Sequence, residues 1–142
     1  MLNGTQVERR LELTGNEGTI SPEDRQRIVA SATDYIESWI AGDGDRMASC
    51  MHPELVKRSL EPDPQTGGCN VQTLTRAEMV AETAAGEGAE HAGPYQVSVL
   101  DAYGDLATVS VQSAAYMDYL HIARCGESWL ILNVLWQPRV GR

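Results

Sequence analysis

The chain has little of what marks several large classes of protein. Its eleven lysines and arginines are scattered among twenty acids, for a net charge of −9. No basic stripe runs through it, which argues against nucleic acid and against an anionic membrane surface as partners. No apolar run approaches the roughly 18–20 residues needed to span a bilayer. Residues 1–20 lack the basic-then-apolar pattern of a secretion signal, so a cytoplasmic protein is expected. Cysteine is scarce: Cys50, Cys69 and Cys125 stand far apart without a CxxC pair, which predicts reduced thiols. Cys50 and Cys125 lie among apolar residues and read as packing groups, whereas Cys69, in a Gly-Gly-Cys loop, reads as exposed. The three histidines, His52, His91 and His121, make no HxH or HExxH spacing, so no metal site is expected. His91 sits among glycines and is expected in solvent. Gly86, Gly88 and Gly93 do not follow a strand and open a helix, so no phosphate cradle and no cofactor are expected. There is no internal repeat.

What remains is an ordinary globular composition, 42% hydrophobic and 22% charged over 142 residues, enough for one domain with a core. Residues 1–20 are glycine-bearing and aperiodic and read as a flexible arm, with an added strand as the alternative. The domain is expected over 21–142. Ser21-Pro22-Glu23-Asp24 offers an N-cap, a proline at the first helical position and an acid three residues on. Ile28, Val29, Ala32, Ile36, Trp39 and Ile40 then share a helical face bordered by Tyr35, and Gly42 ends the helix. Asp43 caps a short second helix to about Met51, stopped by His52-Pro53. Residues 54–60 read as a strand and are followed by a Pro- and Gly-rich loop. Thr75-Arg76-Ala77-Glu78 is a capping box that opens a third helix to about Ala85. From Tyr95 onward apolar residues alternate, with turns at Gly104-Asp105 and Gly126, predicting a four-strand antiparallel meander. The fold class is α+β, with three helices packed on one face of a strongly curved, mainly antiparallel sheet.

The last strand raises a question. From Trp129 to Trp136 it is almost wholly apolar, although a half-buried strand shows one polar face. Strict alternation puts Leu130, Leu132, Val134 and Trp136 on one face and Trp129, Ile131, Asn133 and Leu135 on the other. Leaving either set in water exposes several large side chains, each worth roughly 1.5–3 kcal/mol when buried.

The order of these motifs resembles the nuclear transport factor 2-like superfamily, also called SnoaL-like or ketosteroid-isomerase-like, and within it most nearly the family described as putative lumazine-binding. The resemblance rests on Tyr35-Ile36-Glu37-Ser38-Trp39 with Gly42-Asp43, on Met51-His52-Pro53-Glu54, on Leu74-Thr75, on Asp118-Tyr119-Leu120, and on Gly126-Glu127-Ser128-Trp129 with Val134-Leu135-Trp136. It covers about residues 21–138. It implies an NTF2-like cone in which a bent sheet wraps the first helix around a pocket. It also implies a homodimer through the outer sheet face, with Leu130, Leu132 and Val134 in the interface. A loop or the arm covering that face is the alternative.

The implied pocket takes a small, largely apolar or aromatic molecule, with Tyr35, Trp39 and Met51 as walls together with Leu55, Tyr116 and Leu120. In the isomerases a tyrosine seven residues before the corresponding glycine donates to a developing oxyanion, and Tyr35 stands seven before Gly42. Their aspartate base is missing: Ser59 stands at its place, and Leu120 stands where a second acid would be. Serine cannot remove a carbon-bound proton without a base of its own. A ligand-binding module is therefore the first reading. The alternative is a small cofactor-independent enzyme, an isomerase, cyclase or hydrolase, using Tyr35, His52 and Asp118 or His121. Asp118 and His121 are three apart on one strand and point to opposite faces. One of them faces the pocket.

Overall fold

In the computed structural model, residues 18–140 are described. Helix α1 spans Pro22–Ala41. Ser21 Oγ accepts from Asp24 N at 3.0 Å, and Pro22 occupies a first-turn position whose N–H would lack a partner in any case. Gly42 closes the helix in the left-handed region (φ 74°), as a C-terminal cap requires. Asp43 caps helix α2, Gly44–Ser49, through Arg46 N at 3.0 Å. Strand β1, Met51–Pro62, follows at once, then β2, Cys69–Thr75, and helix α3, Arg76–Ala84, opened by the Thr75–Glu78 capping box. A 3₁₀ turn, Ala89–His91, leads to β3, Gln96–Tyr103, β4, Leu106–Gln112, β5, Tyr116–Cys125, and β6, Ser128–Pro138.

The six strands form one curved sheet in the order β2-β1-β6-β5-β4-β3. All neighbours are antiparallel except β1 and β6, which run parallel with Lys57 opposite Val134. The helices cover the inner face. Ile28, Ala32, Tyr35 and Ile36 of α1 meet Val109, Leu120, Ile122, Ile131 and Val134 of the sheet in one core, which Met47, Met51, Leu55 and Met79 complete. Fold class and layering are thus those expected, but four particulars differ.

The second helix ends at Ser49 rather than Met51, and His52 and Pro53 lie inside β1. The parallel pairing with β6 shifts register between Met51 and Val56, so Pro53 falls at an irregularity, where a missing N–H is tolerated. Strand β2 was not foreseen. It is an edge strand exposed except at Leu74, so it carries no burial pattern to read, and its backbone pairing with β1 defines it. Cys125 is exposed rather than packed. The expected arm lies almost wholly outside the described residues.

The fourth difference answers the question of the last strand. Between β5 and β6 the register shifts: His121 pairs with Asn133, but Ile122 pairs with Ile131, so Leu132 is an extra residue. This β-bulge resets the alternation. Trp129, Ile131 and Val134 are buried and Trp136 packs against the same core, while Leu132 and Leu135 face outward. The expected interface set is corrected accordingly: Val134 is 3% exposed and belongs to the core, not to the outer face.

Inserting one residue after Asn133 reverses the alternation from there on and turns Val134 and Trp136 out of the core. At about 1.5–3 kcal/mol per large side chain, that removes at least about 3 kcal/mol from a total of roughly 5–15. The insertion variant is expected to lose its cooperative thermal transition by circular dichroism. Leu132→Ala, which keeps the register, is expected to retain it.

Candidate functional site

Between α1, α3, the 3₁₀ turn and the inner sheet face lies a cavity of about 400 Å³. Its side walls are aromatic: Trp39 from α1, His91 from the 3₁₀ turn, Tyr116 from β5 and Trp136 from β6. They form a chain of ring contacts. His91 stacks on Trp39 with centroids 6.4 Å apart, Tyr116 meets His91 edge-on at 4.9 Å, and Trp136 meets Tyr116 edge-on at 5.2 Å. Aromatic pairs prefer such arrangements, which hold the walls in fixed orientation. The turn approaches closely because residue 88 has no side chain: a Cβ there would lie 2.1 Å from the Trp39 carbonyl oxygen. Glu82, Glu87 and Glu90 also line the cavity.

At the buried end three ionisable groups converge. Tyr35 Oη donates to Asp118 Oδ2 at 2.5 Å, and Lys57 Nζ donates to Tyr35 Oη at 2.7 Å. Lys57 Nζ is 3.9 Å from Asp118 Oδ2, and their side chains are 11% and 8% exposed. The ammonium also lies 5.2 Å from the ring centroids of Tyr35 and Trp136 and 5.8 Å from that of Trp39. Register explains the convergence. Lys57 shares the inner face of β1 with Leu55 and Ser59, and Asp118 shares that of β5 with Leu120 and Ile122. Tyr35 drops onto both from α1.

Burial sets the electrostatics of this trio. It pushes the Tyr35 hydroxyl well above the usual phenol range, and the adjacent Asp118 pushes the same way. It lowers Lys57 against the opposing pull of Asp118 and Glu82. It raises Asp118 against the opposing pull of Lys57 and Tyr35. Each charge is therefore tolerated because of its partner, and the phenol hydrogen-bonds to both.

The residues expected at a site are distributed unevenly. Tyr35, Trp39, Tyr116 and Asp118 line this cavity. His52 does not reach it: it is half-buried on β1, on the neighbouring side of the strand from Met51, and its Nδ1 accepts from Glu54 N at 3.0 Å. His121 is exposed on the outer face beside Asn133, in an open groove of similar volume, because its parity on β5 opposes that of Asp118. Met51, Leu55 and Leu120 are sealed in the core at 1%, 2% and 0% exposure and do not line the cavity. His91, expected in solvent, is a half-buried wall of the cavity instead.

Lys57 is the residue that sequence reasoning missed. A signal was present: it is the only lysine of the chain, and it stands on the parity of Leu55 and Ser59. Among the described residues no cluster of three or more His, Cys, Asp or Glu side chains suited to a metal ion occurs. No described helix is long and apolar enough to cross a membrane.

Removing Lys57 leaves Asp118 buried without its cation, a loss of about 3–5 kcal/mol at neutral pH. Asp118 is held above its ordinary 3.8, so the folded state favours its protonated form. That contribution is complete below the ordinary value and is lost as pH rises through the folded one. Without Lys57 the carboxyl rises further. The stability deficit of Lys57→Met relative to the natural protein is therefore expected to grow between about pH 4 and pH 7 in denaturant titrations. Lys57→Met with Asp118→Asn is expected to recover most of it.

A family model described as putative lumazine-binding matches residues 23–137. No curated protein matches the sequence. Solved structures resemble it at low identity. An NTF-2 like protein of unknown function from Silicibacter pomeroyi superposes with a TM-score of 0.67 at 15% identity, over 85% of this chain and 100% of that one. A ketosteroid isomerase-like protein from Erwinia carotovora atroseptica gives 0.60 at 16% identity, again over 85% and 100%. A putative dehydratase of the NTF2-like family from Streptomyces avermitilis gives 0.55 at 16%, with the same coverage. At such identities the likeness is one of fold.

Proposed function

The chain belongs to the putative lumazine-binding family, of NTF2-like fold, and from that premise we propose that it is a binding module for a small, planar, largely apolar molecule held in the cone. The observation that carries this reading is the cavity of about 400 Å³ with Trp39, His91, Tyr116 and Trp136 as walls and Lys57, Tyr35 and Asp118 at its buried end. Flat rings pack against such walls, and a few convergent polar groups fix their orientation. Lumazine, the ligand in the family's description, is a flat fused heterocycle with carbonyl acceptors and suits this division of labour. The three carboxylates Glu82, Glu87 and Glu90 favour a neutral or cationic ligand over an anionic one.

Two features complete the proposal. The protein is a homodimer through the outer sheet face, supported by Leu60, Tyr119, Leu132 and Leu135, large apolar side chains 37–55% exposed on neighbouring strands. Its setting is cytoplasmic, which suits the free thiols of Cys50, Cys69 and Cys125. A second reading, catalysis in the same cavity, is favoured by one observation, the proton-sharing trio of Lys57, Tyr35 and Asp118.

Lumazine or another flat heterocycle is expected to quench tryptophan fluorescence saturably. Trp39→Leu and Trp136→Leu are each expected to remove part of that quenching, and the double variant nearly all of it. Trp129, bound to Asp24 elsewhere in the core, then supplies the residual emission. Absence of saturable quenching across such compounds would defeat the binding reading. Light scattering tests the dimer: Leu132→Glu with Leu135→Glu is expected to halve the mass, and a natural protein that is already monomeric at high micromolar concentration would remove the interface.

A further inference from the structure

Lys57 is more than a cation for Asp118. An ammonium has three N–H bonds to place, yet among the described residues Lys57 Nζ has one hydrogen-bond acceptor, Tyr35 Oη at 2.7 Å. The nearer carboxylate oxygen is 3.9 Å away, and the other neighbours are ring faces and the cavity that Lys57 lines. This partner set suits a neutral amine, whose lone pair needs no acceptor. Burial also lowers its basicity. Directly behind it stands a proton carrier: the Tyr35 hydroxyl, which accepts from Lys57 and donates to the buried Asp118. A desolvated lysine beside such a relay in an aromatic cavity has the ingredients of an activated amine nucleophile.

We propose that Lys57 Nζ captures a neutral aromatic aldehyde or ketone bound in this cavity as a reversible Schiff base, with Tyr35 and Asp118 handling the protons. The proposal rests on the binding reading for the cavity itself and goes beyond it in chemistry. The ammonium first passes one proton through Tyr35 to Asp118. The freed nitrogen pair then forms the C–N bond, and the carbonyl π pair moves onto oxygen, which takes a proton from the relay. The nitrogen then gives a second proton through the relay to the hydroxyl of the carbinolamine, and the C–O bond breaks as the nitrogen pair forms C=N. Both protons given up by nitrogen leave with the oxygen as water, so ammonium plus carbonyl gives iminium plus water with no other reactant. The negative charge of Asp118 remains beside the iminium. The carbonyl compound is neutral because Glu82, Glu87 and Glu90 oppose a carboxylate or phosphate on it.

The sole-lysine composition makes the test direct, since the only other amine is the chain's α-amino group. The full chain is incubated at pH 7 with 6-methoxy-2-naphthaldehyde, tryptophan quenching is recorded, and sodium cyanoborohydride then reduces any C=N bond. Mass mapping after digestion locates the adduct. The expected result is an adduct at Lys57, formed at least about tenfold faster in the folded protein than in guanidinium, since the cavity holds the carbonyl beside an amine whose burial favours the free base. Tyr35→Phe is expected to lower the rate at saturating aldehyde by about tenfold or more, a loss that weaker binding alone does not produce. Lys57→Arg is expected to leave the α-amino adduct alone. Saturable quenching with no acceleration at Lys57 would overturn this inference and leave the binding reading standing. Neither quenching nor adduct would overturn both.

Discussion

Placing a lysine and an aspartate inside an apolar cone is costly unless they find partners there, and here one phenol bonds to both. Tyr35 Oη receives a hydrogen bond from Lys57 and gives one to Asp118, so a lone helical residue ties two distant strands together. The arrangement depends on the sheet being curved, since β1 and β5 are separated by β6 and both must reach the same point above α1. The bulge at Leu132 belongs to the same requirement. It bends β6 and sends Val134 and Trp136 inward, where Val134 lies opposite Lys57 and Trp136 opposite Asp118. The inward set of apolar partners for the trio thus follows from one extra residue.

This dependence separates the frame from the chemistry. The frame is a core of aliphatic and methionine side chains sealed at the far end, where Trp129 Nε1 donates to Asp24 and Arg124 pairs with the same carboxylate. The chemistry sits at the other end, where rings replace aliphatic groups and the packing opens into a cavity. Met51, Leu55 and Leu120 belong to the frame although their faces are those of the site. Facing inward is a property of strand parity, whereas lining a cavity depends on what the helices above leave uncovered.

The parts of the fold that were legible in the sequence were local. Ser21, Asp43 and Thr75 cap helices through bonds spanning three residues, and such signals survive without knowledge of the rest. The meander was legible because alternation and turn glycines recur every few residues. The bulge was not, because it is decided by how β6 meets β5 and α1. Nor was β2, whose edge position leaves it without a buried face. At the site, Tyr35 and Asp118 were singled out, one by its likeness in place to the tyrosine of the isomerases and one by type and parity, yet nothing in the sequence joined them. His52 was singled out by the resemblance and His121 as the alternative to Asp118 on the opposite face of its strand, and backbone position and parity carried both elsewhere. Lys57 went unread because a lysine followed by an arginine reads as a solvated face. Only its neighbours across the sheet show that the lysine points in and Arg58 points out.

The close approach at Gly88 has a consequence for how such a cone adapts. Because a Cβ there would collide with the Trp39 backbone, the height of the cavity's roof is set by a residue with nothing to vary. His91 is held between the rings of Trp39 and Tyr116, but Glu87 and Glu90 line the same cavity without such contacts. Their exchange alters the charge and hydrogen-bonding character of the roof while its distance from the floor stays constant. Selectivity for different ligands can therefore drift along two roof positions without disturbing the buried trio, a separation of tuning from structure built into a single turn.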